Sequence, residues 1–118
     1  MHVRKKIGKI VEELTMYFFA VGAKQIDSRI VENNRIFEIT FSANYDHGFD
    51  ENLKSLDKYL NEPKNEGIED IYWELAGSGE PGESSQLLLI GMMIDSADID
   101  IQEDKVTIKI IKEMKEPY

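Results

Sequence analysis

Cysteine is absent from the 118 residues, which excludes disulfides, thiolate metal sites and cysteine nucleophiles. The N-terminus lacks a continuous apolar core of signal-peptide length and no run approaches a membrane span, so we expect a cytoplasmic protein with no membrane partner. Basic residues are few, with 14 Lys and Arg against 23 Asp and Glu and a net charge of −9. A nucleic-acid binder needs a basic surface to neutralise phosphates, so this balance argues against DNA or RNA as a partner.

The length predicts a single domain, residues 1–118, with one hydrophobic core. Apolar residues at helical spacing predict a first helix that ends at Gly22. They are Val3, Ile7, Ile10, Val11, Leu14, Phe18 and Val21. A hairpin follows, with Asn33-Asn34 as its two-residue turn, because asparagine tolerates the positive φ that such turns require. This register pairs Ile26 with Phe41, Ser28 with Ile39, Ile30 with Phe37 and Arg29 with Glu38.

The centre of the chain predicts two helices and a flexible loop. Asp50 can cap a helix that runs to Asn61. Residues 68–77 fit either a helix or a strand, and the acids in the first turn with Gly77 at the end favour a helix. The stretch "GSGEPGESS", residues 77–85, has the composition of a flexible loop.

The last third of the chain predicts a helix followed by a second hairpin. Residues 87–94 are apolar and fit either a buried strand or a helix. Their number, the pair Met92-Met93 and the preceding serines favour a helix. Acids and isoleucines then alternate around a turn at Glu103-Asp104. The predicted pairs are Ile101 with Val106, Ile99 with Ile108, Asp100 with Thr107 and Asp98 with Lys109.

The predicted order is helix, strand, strand, helix, helix, glycine-rich loop, helix, strand, strand. Helices that bury an apolar stripe against one face of an antiparallel sheet form a two-layer sandwich. We therefore expect an α+β fold in which the helices lie on one face of a mostly antiparallel sheet.

This order resembles the histidine-kinase-like ATPase domain, known as the GHKL or Bergerat fold, and above all its anti-sigma-factor serine kinases and SiaB-type kinases. The stretch "KIVEELTMYFFAVGA" resembles the N-box helix of that family, and "IFEITFSANYDHG" resembles the strand that leads into its Asp-x-Gly-x-Gly loop. The stretch "SQLLLIGMMIDSADIDIQEDKVTIKIIKEM" resembles the closing helix and hairpin. The resemblance covers nearly the whole chain and implies Mg·ATP as the family's cofactor and a regulatory protein partner.

Functional positions of the family hold other residues here. The N-box asparagine that coordinates Mg²⁺ is matched by Tyr17, and the aspartate that binds adenine is matched by Ala43. The first glycine of the adenine box is matched by Tyr45. The positions of the phosphate-loop Gly-x-Gly are Ser84, Ser85 and Gln86. The resemblance therefore implies a vestigial pocket of Tyr17, Ala43, Tyr45, Ser85 and Gln86, without a bound nucleotide.

Two acidic features could still carry chemistry. Glu13 matches the acid that helps to activate the attacking hydroxyl in active kinases, but helix-surface glutamates are common and its Mg²⁺ partner is replaced. His47 stands between Asp46 and Asp50, yet one histidine beside acids in a loop is usually only solvated. We expect no working catalytic residue, with Glu13 as a vestigial candidate, and no metal site.

Three functions remain open. The first is a degenerate histidine-kinase-like domain that binds an unidentified protein partner, as in bacterial partner switching, without hydrolysing ATP. The second is an active anti-sigma-type serine kinase with an unorthodox Mg·ATP site, and the third is an unrelated α+β interaction module. The first is our prediction. The family's elements before the N-box have no counterpart here, and an uncovered sheet edge or helix flank tends to recruit another copy, so we also expect a homodimer.

Overall fold

The computed structural model describes residues 3–61 and 84–114, which form an α+β fold as the sequence predicts. The helices are α1 (Val3–Ala20), α2 (Asp50–Leu53), α3 (Leu56–Leu60) and α4 (Ser84–Met93), with a 3-10 turn at His47–Phe49. The strands are β1 (Ile26–Asn33), β2 (Ile36–Asn44), β3 (Ser96–Gln102) and β4 (Lys105–Glu113). The predicted helix at 68–77 and most of the predicted loop at 77–85 lie outside these residues.

The two hairpins form one antiparallel sheet in the order β1-β2-β4-β3. Every second residue of the central strands points to the helices and is buried, because side chains alternate between the faces of a strand. On β2 these residues are Phe37, Ile39, Phe41 and Ala43, and on β4 they are Val106, Ile108 and Ile110. The opposite face carries polar and charged side chains such as Thr40, Lys109 and Asp98 in one row. The buried face and the helices above it make the two-layer sandwich.

The first hairpin turns one residue later than predicted. Its turn residues are Asn34 and Arg35, both with positive φ (51° and 66°), so the register pairs Ile26 with Ala43 and Ile30 with Ile39. The prediction of Asn33-Asn34 as the turn was wrong, and Arg29 lies opposite Thr40 rather than Glu38. A shift of one turn residue moves each cross-strand partner by two, so the same residues still face the core.

Helix α1 ends as the sequence predicts. Gly22 has a φ of 90°, a left-handed conformation that glycine adopts without strain. The Ala23 N–H donates to the Phe18 carbonyl (2.9 Å) and the Gly22 N–H to the Phe19 carbonyl (3.1 Å). This pair of bonds is a Schellman motif, which satisfies carbonyls that the helix end would otherwise leave unpaired.

The predicted helix from Asp50 to Asn61 is two short helices instead. The Ser55 N–H donates to the Asn52 carbonyl (3.4 Å), a tighter turn that separates α2 from α3. Asp50 belongs to the first turn of α2 and does not cap it. The cap in this region is Asp46, whose carboxylate accepts the Gly48 N–H (2.8 Å) at the start of the 3-10 turn. Three leucines at helical spacing in this stretch, Leu53, Leu56 and Leu60, are nevertheless all buried.

The prediction for the last third of the chain is confirmed. Residues Ser84–Met93 are helical, and α4 packs between α1 and α3 above the sheet. Gly91 lies against α3, where a Cβ atom would be 3.1 Å from the Leu60 carbonyl oxygen. The second hairpin turns at Glu103-Asp104, and all four predicted cross-strand pairs are present.

Candidate functional site

Tyr17, which the sequence resemblance predicts to stand in place of a metal-binding asparagine, is buried between α1 and α2. Its side chain is 1% exposed, and its ring packs edge-on against Phe18 with 5.3 Å between the ring centroids. The hydroxyl donates a long hydrogen bond (3.5 Å) to the Asn52 carbonyl. Burial raises the pKa of Tyr17 to about 12. A neutral phenol in this place fills the core and offers no charge to a ligand.

Glu13 lies one helical turn before Tyr17 and is also buried, at 5% exposure. Its Oε1 is 3.0 Å from the Nζ of Lys9, which also contacts Glu12 at 3.1 Å. Partial burial alone would lower the pKa of Lys9, but the hydrogen bonds to Glu13 and Glu12 raise it above the usual lysine value. A second lysine on this helix, Lys6, is buried as well. The expected helix-surface glutamate is therefore buried and held in an ion pair with Lys9.

Ala43 and Tyr45, the residues predicted to replace those of an adenine box, lie at the end of β2 and just after it. Ala43 is 2% exposed and lies in the core-facing row between Ile26 and Val106. The Tyr45 hydroxyl donates to the Glu103 carbonyl (3.0 Å), so its side chain reaches the turn of the second hairpin. Burial, together with the carboxylate of Asp50, raises the pKa of Tyr45. Both residues stabilise the junction of the two hairpins.

The remaining predicted residues are less fully defined. Ser85 and Gln86 belong to the first turn of α4, and the structure does not describe where their side chains lie. The Nδ1 of His47 is 3.2 Å from Oδ1 of Asp50 in an exposed pair. Within residues 3–61 and 84–114, no three His, Asp or Glu side chains come together in a way that could hold a metal ion.

A polar cleft of about 260 Å³ opens where β1, β2 and the second hairpin turn meet. Its lining residues are Gln25, Asp27, Ser42, Ala43, Asn44, Asp104 and Lys105. The Asn44 carboxamide oxygen already accepts the backbone N–H groups of Lys24 (2.7 Å) and Gln25 (3.1 Å). The lining contains no histidine, so Ser42 has no Ser-His pairing in this cleft.

Comparisons with models of protein families, with curated proteins and with solved structures found no match for this chain. In the described part of the chain, none of the helices has both the length and the apolar character that crossing a bilayer requires.

Sequence reasoning missed the buried charges of α1 and the role of Asn61. Lys6 and Glu13 look like surface residues because lysine and glutamate are rarely buried. Lys6 and Glu13 are seven residues apart, which places both on the side of the helix that Ile10 and Tyr17 occupy. This spacing could have predicted that both are buried. Asn61 stands at the end of α3 and bonds the backbone of β3, a contact between elements 36 residues apart that no local pattern encodes.

Proposed function

We propose that this chain is a degenerate histidine-kinase-like domain that binds a protein partner in a regulatory role and does not bind Mg·ATP. The observation that carries the proposal is the burial of Tyr17. In the family this position presents an amide oxygen to the metal, whereas here a phenol ring is 1% exposed and bonded to the Asn52 carbonyl. A metal cannot reach an atom enclosed in the core.

The adenine position supports the same conclusion. Ala43 has no acceptor atom for the adenine amino group, and it is packed in a row of core residues. A buried polar group without a partner costs about 1–3 kcal/mol, so adenine would lose affinity on entering such a site. The side chain of Tyr45 adds bulk where the family has glycine, and its hydroxyl is engaged by the Glu103 carbonyl.

The phosphate positions are a third departure. Ser84 and Gln86 lie in the first turn of α4 and carry Cβ atoms where the family's Gly-x-Gly needs glycine for close approach of the backbone. The changes at the metal, adenine and phosphate positions affect separate parts of one ligand, so the binding free energies that they remove should roughly add. Two losses of about 2 kcal/mol each would weaken a micromolar site about a thousandfold. The residues present therefore do not fit a Mg²⁺-bound nucleotide.

The test is isothermal titration calorimetry with Mg·ATP and Mg·ADP up to millimolar concentration. We expect no binding in the micromolar range. A micromolar dissociation constant would overturn the proposal and favour the alternative, an active serine kinase with an unorthodox site. The triple variant Tyr17→Asn, Ala43→Asp, Tyr45→Gly restores three family residues and is the matched gain-of-binding control, with its fold checked by circular dichroism.

The kinase alternative also requires Glu13 to reach the hydroxyl of a substrate. Glu13 is 5% exposed and paired with Lys9, so its carboxylate is committed to a structural ion pair. Activity can be tested separately from nucleotide affinity by incubating the chain with labelled ATP and a cell extract. Phosphate transfer that disappears in Glu13→Gln, while the fold persists, would establish the alternative.

The positive part of the proposal is the protein partner. Two large apolar side chains of α1, Met16 and Phe19, are exposed at 42% and 58%, and exposed apolar groups of this kind commonly serve contacts with other proteins. Affinity capture from the native cell, with wild type and a Met16→Lys variant as bait, tests it. We expect a partner that wild type retains equally with and without Mg·ATP and that the variant retains less.

A further inference from the structure

The two edge strands of the sheet, β3 and β1, differ in what is bonded to their outward-facing backbone groups. At β3, the Asn61 carboxamide accepts the Ala97 N–H (3.1 Å) and donates to the Ala97 carbonyl (2.9 Å), so it occupies backbone groups that a new strand would need. At β1, the single strand neighbour among the described residues is β2. The eight residues of β1 contain no proline, and their pairing with β2 runs without a bulge. Such an edge is a template for a further strand.

The turn geometry shows which backbone groups of β1 point away from β2. A two-residue turn at Asn34 and Arg35 makes Asn33 and Ile36 a hydrogen-bonded pair, and such pairs recur at every second residue. The bond from the Asn44 N–H to the Gln25 carbonyl (3.2 Å) fits this alternation. The N–H and C=O groups of the even-numbered residues, 26 to 32, therefore point away from β2 and form the outer edge.

Apolar side chains line this edge. Ile30 is 48% exposed although it stands in a core-facing row, and among the described strands none lies on that side of β1. Phe19, at 58%, is the most exposed of the large apolar residues of α1. At 100° per residue it lies about 60° around the helix from Arg4, whose guanidinium bonds both carboxylate oxygens of Glu32 on β1 (2.9 and 3.0 Å). Phe19 thus lies on the flank of α1 that borders the open edge.

We infer that β1 pairs antiparallel with β1 of a second copy of this chain, in a register centred on Ser28. In this register Ser28 faces Ser28 of the other copy. Asp27 then faces Arg29 twice, by the two-fold symmetry, on the polar side of the sheet. On the helix side Ile26 faces Ile30, also twice. Opposite charges and matched apolar pairs are the contacts that stabilise neighbouring strands.

Neighbouring registers are less favourable. A register centred on Arg29 puts the two arginines opposite each other, and one centred on Asp27 does the same with two aspartates. Like charges directly opposite one another destabilise a strand pair. A register centred on Ile30 leaves Arg29 opposite Val31. Charge complementarity therefore favours a second copy of the chain as the partner of β1 and a register centred on Ser28.

The helix layer accommodates this arrangement. Helix α1 contacts both β1 and β2, so strands about 4.8 Å apart would place the two α1 helices about 10 Å apart across the two-fold axis. This spacing matches ordinary helix packing. The flanks that meet carry Phe19 and Gly8, and around a Cβ built on Gly8 there is open space within 4 Å. An eight-stranded sheet with a paired helix layer results.

Disulfide trapping tests the register, because the chain has no cysteine of its own. A Ser28→Cys variant places two thiols in a hydrogen-bonded pair with Cα atoms about 5.5 Å apart, within the range that a disulfide spans. We expect a covalent dimer under mild oxidation. Ser96→Cys, an exposed serine at the start of β3, is the matched control and should crosslink at least tenfold more slowly. Equal rates would overturn the proposal.

Charge exchange tests the same contact in solution. By analytical ultracentrifugation we expect a wild-type dimer, and Arg29→Asp should raise its dissociation constant about tenfold, since two attractive pairs become repulsive. The exchange Asp27→Arg with Arg29→Asp should restore wild-type affinity. Lys109→Asp, the same charge change on β4 in the same row, should leave the dimer intact. A chain that stays monomeric up to about 1 mM, or that accepts only an extended peptide from another protein at β1, would overturn the inference.

Discussion

The side chain of Asn61 bonds both backbone polar groups of Ala97, accepting the N–H at 3.1 Å and donating to the carbonyl at 2.9 Å. Its amide group thereby takes the place of a fifth strand at the β3 edge and ties α3 to the sheet. A second bond from the same amide nitrogen to Asp57 (2.8 Å) holds the side chain in position. One residue therefore both closes an edge and fixes a short helix.

Replacing Asn61 by alanine should destabilise the fold. The change removes two hydrogen bonds to the backbone of β3, each worth about 1 kcal/mol, so the free energy of unfolding should fall by about 1–2 kcal/mol. Urea denaturation followed by circular dichroism measures it. Asn52→Ala is the control, because Asn52 is an exposed residue of α2 and should change stability by less than about 0.5 kcal/mol. Equal effects of the two changes would contradict this role for Asn61.

Alanine substitutions at Gly8, within α1, and at Gly22, just after its end, should change the stability of the fold in opposite directions. Gly22 has a φ of 90°, and a Cβ there would lie 2.7 Å from Cβ of Asp46, so Gly22→Ala should cost about 1–3 kcal/mol. Gly8 lies within α1 and has open space around a Cβ. Gly8→Ala should therefore stabilise the helix by up to about 1 kcal/mol. Thermal unfolding of the two variants measures both signs, and a shift in the same direction would refute the assignment.

The second hairpin could be predicted from sequence in full, whereas the first could not. Glu103-Asp104 stands between two regularly alternating strands, so the pattern fixes its register. In the first hairpin, Asn33-Asn34 and Asn34-Arg35 both leave the apolar residues on the core face. The structure selects the second, and the Met114 N–H donates to the Arg35 carbonyl (2.7 Å) from the end of β4. This hydrogen bond joins residues 79 positions apart, so the local sequence could not show which of the two turns forms.

The candidate site could likewise be predicted from the sequence only in part. From the family resemblance, the sequence predicts that Tyr17 and Ala43 replace nucleotide-binding residues, and this stays a prediction. The sequence did not predict that Glu13 is buried beside Lys9, since lysine and glutamate are usually exposed. Burial is a property of the assembled helix layer, in which α4 packs beside α1.

Neutralising Glu13 should therefore cost stability. Glu13→Gln keeps the shape of the side chain but leaves the ammonium group of Lys9 without this partner in a partly buried place. We expect a loss of about 1–3 kcal/mol in urea denaturation. The adjacent Glu12→Gln removes the other carboxylate of Lys9, yet Glu12 is 61% exposed and its pair should matter by less than about 1 kcal/mol. A double-mutant cycle with Lys9→Met separates the pair energy from the effects of the single changes, and a coupling near zero would contradict the structural role.

Alkaline pH should weaken the fold through Tyr17. Its pKa is raised from 10 to about 12 because burial disfavours the charged phenolate. A group with a higher pKa in the folded state contributes stability that is complete below the unfolded-state pKa and is lost as the pH rises through the folded-state pKa. The free energy of unfolding should therefore decline between about pH 10 and pH 12, by at most about 2–3 kcal/mol from this residue.

The Tyr17→Phe variant isolates this contribution. At pH 7 the phenylalanine loses only a hydrogen bond of 3.5 Å to the Asn52 carbonyl, so the variant should lie within about 1 kcal/mol of wild type. At pH 11 wild type bears the cost of its buried phenol and the variant does not, so the difference between them should shift in favour of phenylalanine. Lysine titration affects both proteins equally and cancels in the comparison. Urea denaturation at pH 7, 9, 10 and 11 measures the shift, and Tyr59→Phe, at a half-buried tyrosine in α3, is the control. If wild type and Tyr17→Phe lose stability in parallel across this range, the phenol is not buried as described, and the argument that it excludes a metal fails with it.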